Sequence, residues 1–145
     1  MKIIGVGSCL RWRWIAYLWL SVLPVTGCVA VDNRVDHSVQ IKRIGVAQVV
    51  GVTYNYGILG EQKVGRLSLG GDGVTEPMPI PEFIDVEWTT EADSQKHEAH
   101  VPLKAKVSEH EVSGKIVRIE IDGAVLKVFL VARLPDFREE RKQLY

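Results

Sequence analysis

The segment with the residue types for metal chemistry is His97-Glu98-Ala99-His100, which combines two imidazoles with a carboxylate. A zinc protease places its two histidines four residues apart on a helix, so that both side chains point the same way. Here the histidines are three residues apart in a strand-like pattern, and strand side chains alternate between faces. We therefore expect His97 and His100 on opposite faces, and we predict neither a metal site nor a cofactor.

Nucleophilic and phosphate-binding chemistry have little support in the residue pattern. Ser108 and Ser113 lie near His110, but closeness along a loop does not make a catalytic triad, and the Gly-x-Ser-x-Gly elbow is absent. The glycine-rich run 70–73 precedes a proline-rich segment instead of Lys-Ser/Thr and a helix, so it indicates a turn. The prediction is a protein that is not an enzyme; an enzyme with a non-obvious site is the least favoured alternative.

Binding to another protein is better supported. Residues 72–93 contain seven acidic residues and no Lys or Arg, which is typical of a solvated surface or of a face for a basic partner. Tyr54 and Tyr56, beside Gly57, are expected at an exposed strand end as aromatic anchors of an interface, whereas Trp88 shares the apolar parity of its strand and is expected in the core. The predicted contact residues are Tyr54, Tyr56, Asp72, Glu76, Glu82, Glu91, Asp93 and His97.

Strand patterns dominate the segments that must position these residues. Residues 39–56 are rich in Val, Ile and Tyr, with Ile44, Val46, Val50, Val52, Tyr54 and Tyr56 on one parity, and Gly45 and Gly51 indicate a break into two strands. Residues 66–69 predict a further short strand. The segment 76–82 has alternate prolines, which predict an exposed connector or an edge.

Two hairpins are predicted further along the chain. Residues 83–90 alternate cleanly and are expected to pair with an alternating run that ends near 107. Residues 115–121 and 124–134 meet across Asp122-Gly123, which fits a type I′ turn, and the second strand is expected to be central and buried on both faces.

The resulting fold prediction is all-β. About six to seven short strands without an amphipathic helix indicate an antiparallel β-sandwich or a small open barrel over residues 39–134. The charged tail 135–145 is expected to close with a short helix or to extend into solvent.

Residues 1–27 look like a cleaved signal peptide. Lys2, Arg11 and Arg13 precede an apolar run that is shorter than the roughly 20 residues of a membrane-spanning helix. Val25-Thr26-Gly27-Cys28 resembles the lipobox of bacterial lipoproteins, which implies cleavage before Cys28, lipidation of its thiol and a tether over 28–38. Val29 stands where an Asp would imply retention at the inner membrane, so the periplasmic face of the outer membrane is expected. The alternative is an ordinary secretory signal with a coincidental cysteine.

Cleavage would change the charge and the redox chemistry of the chain. The balance of 18 basic and 18 acidic residues loses three basic ones, which leaves a net charge of −3 and argues against a nucleic-acid surface. Cys9 leaves with the signal and Cys28 carries lipid, so no disulfide is expected within the mature domain. An ordinary hydrophobic core must stabilise it.

Several motifs resemble those of small β-rich lipoproteins encoded beside type VI secretion lipase effectors. They are Val-Val-Gly-Val-Thr-Tyr-Asn-Tyr-Gly-Ile at 49–58, Ser-Leu-Gly-Gly-Asp-Gly at 68–73, Asp-Val-Glu-Trp at 85–88 and His-Val-Pro-Leu at 100–103. The resemblance implies a periplasmic immunity protein whose partner is a secreted effector, a phospholipase. The chain departs from related lipoproteins in lacking their internal cysteines. The alternative function is a structural outer-membrane lipoprotein of an envelope or secretion assembly.

Overall fold

Nine strands and two short helical turns make up residues 33–145, which are the residues that the computed structural model describes. The strands are β1 Val35–Arg43, β2 Val49–Tyr56, β3 Glu61–Gly65, β4 Asp72–Met78, β5 Phe83–Thr90, β6 Gln95–Pro102, β7 Ile116–Asp122, β8 Val125–Arg133 and β9 Glu139–Gln143. A 3-10 turn spans Gly57–Leu59, and α1 spans Glu109–Val112. The predicted signal peptide 1–27 and the lipidation site Cys28 lie outside the described residues.

The strands form two sheets that share one core. One sheet has five strands in the order β4-β1-β7-β8-β9, and the other has four in the order β3-β2-β5-β6. All pairs are antiparallel except β1 with β7. Buried residues of both sheets belong to one hydrophobic cluster. The predicted all-β sandwich is confirmed, with more strands than expected and one parallel pair.

Local alternation explains which face of each strand is buried. In β5, Ile84, Val86 and Trp88 are at most 2% exposed, while Asp85 and Glu87 face solvent. The hairpin with β6 is confirmed, although β6 ends at Pro102 and not near 107. Each fully buried aliphatic side chain contributes roughly 1.5–3 kcal/mol to folding. The alternating pattern therefore determines both the strand and its orientation in the core.

The β7–β8 hairpin is confirmed, with two corrections. Asp122 pairs with Val125, so the loop residues are Gly123 and Ala124. A positive φ occurs at Gly123, at 56°, and not at Ala124, which is the pattern of a type II′ turn and not of type I′. The strand buried along both faces is β7 instead of β8, because β9 covers only part of β8.

The C-terminal segment differs most from expectation. Residues 139–143, expected in a helix or in solvent, form the edge strand β9. Glu139 accepts two hydrogen bonds from Arg118, at 2.5 and 2.7 Å, and the guanidinium of Arg141 lies 4.1 Å above the Phe129 ring. Arg141 also lies 2.6 Å from the buried carboxylate of Glu120, as a charge contact and not an aligned hydrogen bond. Glu139 and Arg141 therefore find partners on β7 and β8, whereas Lys142 pairs with Glu111 of α1.

Three other segments have different bounds from those predicted. The region 39–56 breaks into β1 and β2 as expected, but β1 already begins at Val35, inside the predicted tether. The predicted strand at 66–69 is a loop, and β3 precedes it. The proline-containing segment partly forms β4, which lies at a sheet edge as expected because proline lacks the amide proton that a central strand needs.

The strand directions place every connection at one of two ends. The proximal end is where β1 begins, and it holds 57–60, 79–82, 103–115 and 134–138. The distal end holds 44–48, 66–71, 91–94 and 123–124. One side-chain hydrogen bond joins the sheets near each end: His37 to Tyr56 at the proximal end, and Trp88 to the Gly123 carbonyl at the distal end.

Candidate functional site

The four distal loops pack together around the central loop 44–48. Arg43 at the end of β1 donates from Nη1 to the carbonyls of Val46 and Ala47, at 3.1 and 3.3 Å. The Arg43 amide donates to Ser68 O at 3.1 Å, and the Glu91 amide donates to Gln48 O at 3.0 Å. These bonds hold parts of both sheets in one surface.

Gly45 allows the central loop to approach the β7–β8 hairpin. A Cβ at Gly45 would lie 1.8 Å from Oδ1 of Asp122, so any side chain there would displace that carboxylate. The Ile44 amide donates to Ile121 O at 3.1 Å and continues the strand contact up to this point. The close approach leaves the next residue, Val46, at the outermost point of the loop.

Trp88 supports the loops from below. Its indole is 2% exposed and donates from Nε1 to Gly123 O at 2.8 Å. The His97 ring stacks on it at 5.3 Å between centroids, and His97 Nε2 lies 2.9 Å from Thr90 Oγ1. The predictions that Trp88 is a core residue and that His97 and His100 lie on opposite faces are confirmed, since His100 pairs with Asp85 on the exposed face.

The outer surface of the distal loops combines apolar tips with acidic residues. Val46, Leu69 and Val125 are 97%, 60% and 53% exposed. The acidic residues of this end include Glu91, Asp93 and Asp122, and the cation Arg66 is paired with Glu91 at 2.6 Å. Exposed apolar groups within a polar rim are typical of a surface that another protein covers.

Hydrogen bonds favour the ionised form of Asp93 in this surface. The backbone amide of Gln95 donates to its carboxylate at 3.1 Å, and this bond, with a contribution from the Thr90 hydroxyl, holds the pKa of Asp93 below its ordinary value. Hydrogen bonds to the charged form favour that form. These hydrogen bonds therefore favour the charged form of Asp93 in the 91–94 turn.

The predicted contact residues divide among three places. Asp72, Glu91, Asp93 and His97 lie toward the distal end, whereas Glu76 and Glu82 lie toward the proximal end and are exposed. The expectation that Tyr54 and Tyr56 are exposed is wrong, because both rings point into the core and are 3% and 0% exposed. The contact role of the six exposed or half-buried residues stays a prediction.

The apolar tips were missed for an identifiable reason. Val46 shares the parity of the buried residues of β2, but the chain leaves β1 at Arg43 and resumes a strand only at Val49, so the parity does not carry through. Leu69 follows the buried Leu67 in what looked like a strand. The neighbouring glycines, Gly45 and Gly70, were the signal that these residues stand on loops.

A hollow of about 410 Å³ beside β4 is lined in part by Ser38 and Thr75, but these two hydroxyls bond each other at 2.7 Å, and neither bonds to a base. Within residues 33–145 no cluster of His, Cys, Asp and Glu could hold a metal ion. Over the same residues, none of the helices has the length and apolar character needed to cross a membrane.

Comparison with known proteins identifies no family for this chain. No known protein family matches the sequence, and no curated protein matches it. Among solved structures, the chain is similar to an NMR structure of a protein from Eubacterium rectale, with 18% sequence identity and a TM-score of 0.46. The match covers 66% of this chain and 87% of that one, and a likeness at this level identifies no family.

Proposed function

We propose that this chain is a lipid-anchored periplasmic protein that binds and blocks a type VI secretion phospholipase effector. The observation that carries the proposal is the distal end, where Val46, Leu69 and Val125 are exposed at the tips of loops that hydrogen bonds hold together. An inhibitor needs such a surface and no catalytic group of its own. A standard interface buries about 800 Å² on each partner and can bind very tightly.

The proposed anchor would attach to the domain at the end opposite this surface. Six residues separate Cys28 from Val35, and the seven Cα-to-Cα steps of an extended chain between them span at most roughly 25 Å. The nine residues of β1 then extend roughly 30 Å toward the distal end. On the periplasmic face of the outer membrane, the distal loops would meet an effector before it reaches the lipid.

The acidic residues of the distal end support a partner whose surface is basic. The 91–94 turn and Asp122 place carboxylates beside the apolar tips, and complementary charge increases the association rate and sets the orientation of a complex. We therefore expect a basic rim around an apolar depression on the effector. Apolar residues at the centre of such an interface carry most of the binding energy.

The proposal predicts that a gene beside the gene for this chain encodes a phospholipase, and co-expression with that lipase tests it. Wild-type protein should protect the cell and co-purify with the lipase, and Leu69→Glu should weaken the complex by roughly 10-fold or more. Ile58→Glu is the matched control, because Ile58 is 59% exposed against 60% for Leu69 but lies at the proximal end. It should bind like the wild type.

Two outcomes would contradict the proposal. If the wild-type protein gives no protection and forms no complex, inhibition of that lipase is excluded. A deletion strain that loses secretion and keeps its resistance would favour the alternative, a structural lipoprotein of the secretion assembly. Full protection by Cys28→Ser would show that inhibition does not need the anchor.

A further inference from the structure

The turn between β8 and β9 presents an aromatic ring to solvent. Phe137 is 97% exposed, and the turn is closed by hydrogen bonds from the Leu134 amide to Arg138 O at 2.9 Å and from the Phe137 amide to Leu134 O at 3.0 Å. Leu134 is also 36% exposed. The turn thus holds two apolar side chains at its surface, and the larger one contributes nothing to the core.

The backbone of Phe137 adopts a conformation that is unfavourable for a bulky residue. Its φ is 63°, in the left-handed region that glycine and asparagine adopt readily and bulky residues rarely do. Phe137 therefore costs conformational energy in the folded state and recovers none by burial. The hairpin turn requires this conformation, because a type I turn followed by a left-handed residue closes a three-residue loop, and the turn thereby holds the Phe137 ring away from the core.

The register places this turn beside the point where the chain enters the sandwich. Ser38 of β1 is level with Ile116 of β7, and Ile116 is level with Val131 of β8. Counting three residues back along β1 and forward along β8 makes Val35 level with Leu134. The two positions are separated by two strand spacings, roughly 10 Å.

Cations lie around the same end. Arg133 and Arg138 flank the turn, and Lys104, Lys106 and Lys115 lie on the neighbouring connection. The acidic residues at this end include Asp136, which pairs with Arg138, Glu111, which pairs with Lys142 at 2.8 Å, and the exposed Asp36, Glu76, Glu82 and Glu109. The residues adjoining the apolar turn in sequence are the cations Arg133 and Arg138. Apolar side chains flanked by Lys and Arg are typical of surfaces that bind the interface of an anionic membrane.

We propose that the β8–β9 turn contacts the lipid bilayer, with the Phe137 ring among the lipid headgroups and the flanking cations against anionic phosphates. The inference rests on the proposed anchor at Cys28, which would hold Val35 within roughly 25 Å of the membrane. A second attachment point would restrict rotation of the domain about its tether. It would keep the distal loops directed toward the periplasm.

Depth-dependent fluorescence on the full lipidated protein tests this inference. Cys9 precedes the expected cleavage site and Cys28 would carry lipid, so Phe137→Cys would supply the free thiol for an environment-sensitive dye. Val46→Cys is the matched control, since Val46 is also 97% exposed but lies at the distal end. The proteins are reconstituted into vesicles of phosphatidylethanolamine and phosphatidylglycerol that contain a nitroxide-labelled lipid quencher.

Quenching should be several-fold stronger at position 137 than at position 46. Equal quenching at the two positions, with the protein on the vesicles, would overturn the membrane contact and leave the anchor standing. Failure of the lipidated protein to co-sediment with vesicles would overturn the anchor and the inference together. Undiminished quenching at 137 in phosphatidylcholine vesicles would overturn the role given to the cations.

Discussion

The two ends of the sandwich join their sheets by different chemistry. At the distal end the Trp88 indole donates to the Gly123 carbonyl at 2.8 Å, and neither group changes charge near neutral pH. At the proximal end the buried His37 ring lies 2.8 Å from the Tyr56 hydroxyl, and imidazole titrates in this range. The proximal connection therefore depends on the protonation state of His37, whereas the distal connection contains no group that titrates near neutral pH.

The neighbours of His37 determine where that proton lies. Nδ1 is 2.8 Å from the Val35 carbonyl, which can only accept, so Nδ1 carries the hydrogen. In the neutral ring Nε2 then accepts from the Tyr56 hydroxyl. Burial lowers the pKa of His37, although the Val35 carbonyl and Asp36 oppose the shift, and burial raises the pKa of the Tyr56 phenol. Both shifts favour the neutral pair.

The largest expected effect removes the distal connection. Trp88→Ala should lower the free energy of unfolding by about 3–5 kcal/mol, because it leaves a cavity and an unpaired Gly123 carbonyl. Urea denaturation measures the loss. Glu87→Ala, on the opposite face of β5, is the control and should change stability by less than about 1 kcal/mol. A similar loss for both variants would contradict the role of Trp88.

The proximal connection is tested by deleting one hydroxyl. Tyr56→Phe should cost about 1–3 kcal/mol, because His37 Nε2 is left buried without its donor. Tyr54→Phe, on the same face of β2, is the control, because its hydroxyl does not bond to His37. Amide hydrogen exchange should show faster opening near Val35 in the first variant. Equal losses of stability in both variants would show that the hydrogen bond between His37 and Tyr56 adds nothing to the free energy of unfolding.

The pH dependence of stability should separate the two ends further. Because the folded pKa of His37 lies below its ordinary value of about 6.5, the unfolded chain binds the proton more readily than the folded one. The contribution of His37 is therefore fully present above about pH 7 and decreases as the pH falls below about 6.5. His37→Gln should reduce the slope of unfolding free energy between about pH 5 and 7. An unchanged slope would contradict this assignment.

The smallest expected effect concerns the exposed apolar residues of the two ends. Phe137→Asn should raise stability by about 0.5–1 kcal/mol, because asparagine tolerates a positive φ better than phenylalanine does. Val46→Asn, equally exposed but not at a positive φ, should change it by less than about 0.5 kcal/mol. Thermal unfolding of both variants measures the difference. Destabilisation by Phe137→Asn would show that the ring supports the fold.

Prediction from the sequence succeeded where the structure depends on local periodicity. The alternation of 83–90 gave β5 with its bounds and its buried face, and the Asp122-Gly123 dipeptide located the β7–β8 hairpin to within one residue. The burial of Trp88 was predicted from the same alternation. The candidate site was predicted only in part, because its acidic turn is contiguous in sequence whereas its apolar tips come from separate loops.

The sequence by itself determined the all-β class, the strand alternation and the acidic character of the 91–94 turn, because each depends on residues close along the chain. Only the tertiary structure decided that Tyr54 and Tyr56 are buried, that a charged tail becomes β9, and that Val46 stands exposed. These outcomes depend on partners far away in sequence, such as Arg118 for Glu139 and His37 for Tyr56. A side chain's surroundings are set by the sheet that packs against it, and local patterns do not contain that information.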